Sequence, residues 1–267
     1  MFSASAPSDT PDHAVARDDW DEHWDAYADA AGLNPAQAFR RRLIIEALAI
    51  SAPAAKVLDI GSGTGDLAVD LLRELPSPEI LGVELSAKGV EISRRQAPAA
   101  TFVECDLLAP DAAPAEHRGW ADHAVCSEVL EHVDDPVALL RGARPLLAPG
   151  CRLVVTVPGG PMSAFDRHIG HRRHFSPDDL AEVMSQAGLE VEWVRGAGFP
   201  FFNLYRFMII ALGDRLIETA RVDPAGSPPW HARAAAKVFD VLFRLNARRG
   251  RLGFQTIGAA RVPTGQG

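Results

Sequence analysis

The chain has 267 residues, 47% hydrophobic and 23% charged, with a formal net charge of −8. That is enough apolar sequence for a sizeable core, and the negative balance argues against nucleic acid as partner, because tracking phosphates needs clustered positive charge. The three cysteines, Cys105, Cys126 and Cys151, are odd in number and too widely spaced for a metal knuckle or a disulfide framework, which points to a reducing compartment.

In chain order, residues 1–18 are rich in Ser, Pro, Asp and Ala and read as a disordered lead-in, without the basic start and apolar run of a signal peptide. No run approaches the roughly 18 to 20 apolar residues of a membrane span, so the expected location is cytoplasmic, with peripheral contact at a membrane surface left open. From 19 onward the sequence reads as one domain to 267. Its first part, 19–52, forms a helical cap: Trp20, Trp24 and Tyr27, then Phe39, Leu43, Ala47 and Ile50, recur at helical spacing and are divided at Gly32-Leu33-Asn34-Pro35. Short apolar runs follow at 57–61, 80–85, 101–107, 123–129, 152–158, 189–195 and 253–262, the first five separated by amphipathic helical patterns. That alternation predicts an α/β fold with a mostly parallel sheet and helices on both faces. Ser176, Pro177, Asp179 and Gly188 supply the cap, first position and stop of one helix.

The first run ends in KVLDIGSGTGDLA, where a strand turns into a helix through Gly61-Ser62-Gly63-Thr64-Gly65. Glycine lets the backbone approach a ligand closely. In the dinucleotide pattern G-x-G-x-x-G the pyrophosphate sits on the helix N-terminus. Here the third glycine comes one residue early and Asp66 follows it, so the turn favours a nucleoside without phosphates. Glu84, ending the second strand, stands where an acid binds ribose hydroxyls, and Asp106 follows the third strand in the same relation, within reach of an adenine amino group.

Together VLDIGSGTG, GVELS, ECDLL, SEVLEHVDDP and LLAPGCRLVVTVP resemble the class I S-adenosylmethionine-dependent methyltransferases of the small-molecule, ubiquinone-biosynthesis type, over about residues 20 to 195 plus the last strand. The resemblance implies a Rossmann-like seven-stranded sheet of order 3-2-1-4-5-7-6, the seventh strand antiparallel, with S-adenosyl-L-methionine across the ends of strands one to four. It implies that Asp59, Gly61, Ser62, Gly63 and Gly65 line the methionine part, Glu84 and Leu85 the ribose, Asp106 and Leu107 the adenine, and that Ser127 and Glu128 flank the sulfonium.

Methyl transfer needs alignment of nucleophile, methyl and sulfur and, for a hydroxyl acceptor, removal of a proton. His132 and the histidines of DRHIGHRRHFS, His168, His171 and His174, are candidate bases, with His171 placed first. Packing under strand four is the alternative for His132, and a solvated loop that caps the next helix is the alternative for the others. His168 and His171 have an H-x-x-H spacing, but Gly170 lies between them and no long helix carries them, so no metal is expected. Arg172 and Arg173 are candidates for an acidic or phenolic acceptor, and Arg40, Arg41 or Arg42 for the methionine carboxylate. Residues 196–252 form a helical insertion between the sixth and seventh strands, far longer than ordinary connections. Its helices read as FFNLYRFMIIALGDRLIETA and KVFDVLFRLNARRGR, the second ending in Arg248, Arg249 and Arg251. They either pack on the core, cover a lipophilic acceptor, form a dimer surface or touch a membrane. The function expected is O-methylation of a small lipophilic metabolite, with N-methylation or a non-catalytic binding module as alternatives.

Overall fold

The computed structural model describes residues 20–21, 34–222, 230–247 and 250–264, with side chains for all of these except 213–222 and 230–233. The expected lead-in, the helix expected around Trp24 and Tyr27, and Arg248 and Arg249 lie outside the described residues.

Each apolar run of the sequence becomes a strand: β1 (Lys56–Ile60), β2 (Glu79–Glu84), β3 (Thr101–Glu104), β4 (Ala121–Ser127), β5 (Leu147–Pro158), β6 (Glu190–Ala197) and β7 (Gln255–Arg261). They form one sheet in the order β3-β2-β1-β4-β5-β7-β6. Pairing is parallel from β3 to β5, and β7 runs antiparallel to both of its neighbours. Several boundaries differ from the sequence reading by one to five residues; β3, for example, ends at Glu104. β4 stops at Ser127 because Glu128 turns out of the ladder at φ +57°, and β5 starts earlier, at Leu147, across a register shift opposite Ala121 and His123.

Central strands are buried on both faces, so their residues alternate between two cores. Leu58 and Ile60 join one core with Leu139, Leu140, Leu180 and Met184, from α4 (Pro136–Ala143) and α6 (Pro177–Gln186). Val57 joins the other with Phe39, Leu43, Leu71 and Val90, from α1 (Pro35–Leu48), α2 (Asp66–Glu74) and α3 (Ala87–Gln96). Helices therefore cover both faces. Burying each such aliphatic side chain contributes about 1.5–3 kcal/mol. Chain direction is set at the helix starts. Asn34 accepts from the Ala36 N–H at 2.9 Å with Pro35 at the first helical position, and Ser176 and Asp179 form a reciprocal capping box on α6.

Between β5 and α6 lies a short helix, α5 (Ala164–His168), closed by a second capping box between Ser163 and Asp166; the sequence predicts only a loop in this stretch. The insertion holds α7 (Phe201–Val222) and α8 (Trp230–Phe243). α8 ends well short of the expected helix. Instead the chain turns so that the buried Asn246 accepts from the N–H groups of Phe201 and Phe202, at 2.8 and 3.3 Å; the Phe202 N–H also donates to the Gly198 carbonyl at 2.9 Å, so Asn246 chiefly satisfies Phe201 at the start of α7. The inner face of the insertion packs Phe202 and Phe243 against Phe39 of α1, with ring centroids 5.4 and 5.5 Å away. Its outer face leaves Leu204, Phe207, Met208, Val238 and Val241 exposed.

Candidate active site

Parallel strands deliver their C-terminal ends to one edge of the sheet, and a cavity of about 450 Å³ opens there. Its lining includes Asp59, Gly61, Ser62, Gly63, Glu84, Leu85, Asp106, Leu107, Ser127 and Glu128, which are all but one of the residues the sequence assigned to a cofactor. Gly65 does not face the cavity. It is the N-cap of α2 at φ +84°, and a Cβ there would lie 2.8 Å from Ser93 Cβ. Its role is to let the turn close against α3.

Glu84 organises the turn. Its Oε2 accepts from the Gly63 N–H at 2.7 Å and its Oε1 from the Ser86 N–H at 3.0 Å. Each carboxylate oxygen can accept more than one hydrogen bond, so ribose hydroxyls fit beside these backbone donors. Burial nevertheless pushes its carboxyl upward, the backbone bonds opposing this. Asp59 is also buried, and its Oδ2 has no hydrogen-bond partner; Ser62 Oγ is in the same condition. Burial, and then the charge of Glu84, raise Asp59 to about 7. Unpartnered buried oxygens at a cavity wall are what a bound ligand with an ammonium group would satisfy. The residues therefore fit the methionine end of S-adenosylmethionine. Thr64 Oγ1 donates to Asp66 Oδ2 at 2.7 Å, so the acid after the glycines folds back on its own turn. Asp106 Oδ1 accepts from the Leu108 N–H at 3.0 Å.

At the far end of β4, Ser127 Oγ lies 2.9 Å from Thr156 Oγ1, Gln255 Nε2 donates to Glu128 Oε1 at 2.9 Å, and Arg40 Nη1 stands 3.4 Å from Glu128 Oε2. Of the three N-terminal arginines, Arg40 and Arg41 reach the cavity. Arg41 is tied to Asp70 at 2.6 Å and Arg42 to Asp240 at 2.9 Å. That leaves Arg40 as the best placed for a carboxylate. Arg172 and Arg173 are turned away: Arg172 pairs with the Asp134 carboxylate, Arg173 donates to the Asp134 carbonyl at 2.9 Å, and neither lines the cavity.

The histidines divide. His132 lines the cavity together with Trp20, Val133, Phe165 and Ile169, and the Trp20 ring meets it edge-on at 4.8 Å. His171 lies behind it, ring centroids 4.8 Å apart, and does not line the cavity. His171 Nδ1 is 3.3 Å from His174 Nε2, and His174 Nδ1 is 3.1 Å from the Gly160 carbonyl. Burial, then the neighbouring His132, depress His171 to about 3, so it is neutral at ordinary pH. His168 is exposed on α5. Glu131 is fully buried, both its oxygens lack hydrogen-bond partners, and burial followed by the charge of Glu128 holds its carboxyl well above the usual range. The sequence expectation was no metal. Among the described residues, ligand-capable atoms of Glu131, His132 and His171 lie within 4.8 Å of one another, as do those of Asp166, His171 and His174. Sequence reasoning missed Asp166, although Ser163-x-x-Asp166 repeats the capping spacing it used at Ser176. It also missed Phe165 and Ile169, whose helix was not foreseen.

A family model described as a methyltransferase domain matches residues 34–194. The chain belongs to that family. Among its relatives, ubiquinone biosynthesis O-methyltransferase of Bordetella avium (strain 197N) is 29% identical over 199 residues, covering 68% of this chain and 81% of the relative. The enzyme of the same name from Xanthomonas euvesicatoria pv. vesicatoria (strain 85-10) is 27% identical over 189 residues, covering 65% and 77%. Of solved structures, the [4+2]-cyclase SpnF superposes with a TM-score of 0.63 at 18% identity, covering 94% of this chain and 99% of that one. Phosphoethanolamine N-methyltransferase 2 of Haemonchus contortus, in complex with S-adenosyl-L-methionine, gives 0.58 at 18% identity, covering 91% and 57%. This methyltransferase is an enzyme whose methyl donor is S-adenosylmethionine, and its sheet is the Rossmann-like one that the resemblance implied.

Proposed function

We propose that this methyltransferase methylates the oxygen of a small, lipophilic hydroxylated metabolite. The observation that carries the reading is the composition of the wall beside Ser127 and Glu128: Phe165, Ile169, Val133 and Trp20 make it apolar, and His132 is the nitrogen base set into it. The relatives' names, O-methyltransferases of ubiquinone biosynthesis, support oxygen as acceptor atom.

S-adenosylmethionine, when bound, supplies an electrophilic methyl group. Around it Glu84 and Leu85 would hold the ribose, Asp59 and Ser62 the methionine amino group, Arg40 the methionine carboxylate, and Asp106 and Leu107 the adenine. Apolar side chains align the acceptor and exclude water, which favours in-line attack. His132 takes the hydroxyl proton, while His171 stands behind it as a neutral second imidazole. In this reading His132 stands at the acceptor and His171 one step removed, whereas the sequence ranked His171 first; the cavity lining, which includes His132 and not His171, supports the change.

The test is methyl transfer from radiolabelled S-adenosylmethionine to a 4-alkylcatechol and to a matched alkylamine. Labelling of the catechol, with His132→Ala lowering turnover about 10²- to 10⁴-fold at unchanged cofactor affinity, supports the reading. Preferential labelling of the amine would replace it with N-methylation, and cofactor binding without transfer to either would favour a binding module.

A further inference from the structure

Behind the cavity, His171 and His174 belong to a closed set of contacts that reaches into the insertion. The Gly160 carbonyl can only accept, so the Nδ1 of His174 that faces it carries the hydrogen. Neutral His174 then has a bare Nε2, and the 3.3 Å contact to His171 Nδ1 requires that this nitrogen donate. Neutral His171 consequently keeps its lone pair on Nε2, the nitrogen it does not spend on His174. Beside this N–H···N bond lies Asp166, fully buried, with oxygens 4.0 Å from His171 Nδ1 and 3.8 Å from His174 Nε2. A carboxylate there favours a proton held between the two rings.

Asp166 is itself held from two sides. Ser163 donates to its Oδ2 through both N–H and Oγ, each at 2.7 Å, and Arg206 Nη2 donates to both oxygens at 2.9 and 2.8 Å. Burial would raise this carboxyl, but the bonds and charge of Arg206, with those of Ser163, outweigh it and bring the group down to about 2. Arg206 comes from α7, the insertion helix, and its side chain is largely buried. The loop backbone closes the unit, His171 N–H donating to the Asp166 carbonyl at 2.9 Å and Arg172 N–H to the Glu131 carbonyl at 2.8 Å. Neither Asp166 nor Arg206 lines the cavity.

We propose that Asp166 and Arg206 are positioning residues for methyl transfer: the insertion helix, through Arg206, holds Asp166 so that His174 and His171 stay in one tautomer and His171 offers an unprotonated Nε2 behind His132. This rests on the reading of His132 as the base. It makes the insertion part of the reaction apparatus, as the element that fixes which imidazole nitrogen is bare.

The experiment combines long-range proton–nitrogen NMR of the histidine side chains with kinetics on the 4-alkylcatechol. In the wild type at neutral pH, His171 and His174 should both appear as Nδ1–H tautomers, the resonances being assigned by their loss in His171→Gln and His174→Gln. Arg206→Met should mix the His171 tautomers and lower kcat by up to about 10²-fold, with KM and cofactor affinity within a few-fold of wild type, and Arg206→Lys should restore most of both. A wild-type His171 with its hydrogen on Nε2 would overturn the proposal. So would an Arg206→Met protein with unchanged tautomers, or wild-type turnover abolished by EDTA and restored by a divalent metal, which would make these nitrogens ligands. If Arg206→Met fails to fold, the wild-type tautomers and Asp166→Asn still decide. Expected tautomers together with normal turnover of His132→Ala would instead remove the base reading and leave the imidazole geometry standing.

Discussion

Asp59 is where burial most directly meets binding. In the free enzyme burial and the neighbouring Glu84 raise its carboxyl to about 7, so near neutrality part of the population carries the proton. A ligand ammonium paired with Asp59 would hold it ionised, so binding should expel that proton. Calorimetry of S-adenosylmethionine binding in buffers of different ionisation enthalpy should show proton release at about pH 6.5, fading by about pH 8.5, and affinity should rise across that interval. Asp59→Asn should remove the release; its persistence would place the titrating group elsewhere. His171 gives a dependence of the same sign in stability, at lower pH. Its folded value of about 3 lies below the unfolded 6.5, so the unfolded chain binds more protons between them. The stabilisation is complete above the unfolded value and is lost as pH falls toward the folded one. Relative to His171→Gln, the wild type should lose up to about 1.4 kcal/mol of unfolding free energy per pH unit in that window. Urea titrations at several pH values check this, and equal slopes in the two proteins would show that the ring titrates freely. That Glu84 and Asp106 line the cavity was legible because their positions follow strand ends. Which histidine faces the cavity was not, since His132 and His171 differ in orientation, which spacing does not encode.

At the scale of single elements, the glycine turn is the most constrained piece. Gly65 combines a positive φ with a close approach to Ser93, so Gly65→Ala brings backbone strain and a steric clash together. The expected cost is about 1–3 kcal/mol, with weaker cofactor binding because the Gly63 N–H can no longer sit on Glu84. Thermal unfolding with and without S-adenosylmethionine reads both effects, and an unperturbed midpoint would mean that α3 can retreat. Strong local signals made most elements legible: Ser176-Pro177-x-Asp179 starts α6 as read. The same Ser-x-x-Asp signal at Ser163 is harder to read because α5 is a single short turn followed by Gly170, too brief for periodicity to register. The end of α8 was hidden for a different reason. Asn246 turns the chain there to cap a helix 45 residues earlier, a partner no local window contains.

For the whole molecule, the order of the seven strands was implied by the family resemblance that the motifs carry, whereas the placement of the insertion depended on packing between distant segments. Its inner aromatic face closes on α1, and its outer face keeps Leu204, Phe207 and Met208 in water. No helix among the described residues is long and apolar enough to cross a membrane; contact of this outer face with a membrane surface, one of the alternatives the sequence leaves open, is testable. Co-sedimentation with vesicles of phosphatidylcholine and an anionic phospholipid should then detect binding. Phe207→Ser should weaken it about tenfold or more, since inserting such a side chain contributes roughly 1.5–3 kcal/mol. Vesicle binding that ignores this change, or none at all, would remove the membrane reading of this face.

The antiparallel β7 between β5 and β6 also has a consequence for how the enzyme comes into being. Residues 255–261 leave the ribosome after the strands on either side of them. Until they arrive, β6 has no partner in the sheet and one side of β5 is bare along its length. Two open strand edges on an emerging chain invite pairing with other chains. Nascent chains arrested before Gln255 should therefore bind holdase chaperones and be cut readily by protease within 190–197, and extending synthesis past Arg261 should abolish both. On this order of synthesis β7 would close the sheet only once the helices that shape the acceptor side have already been made.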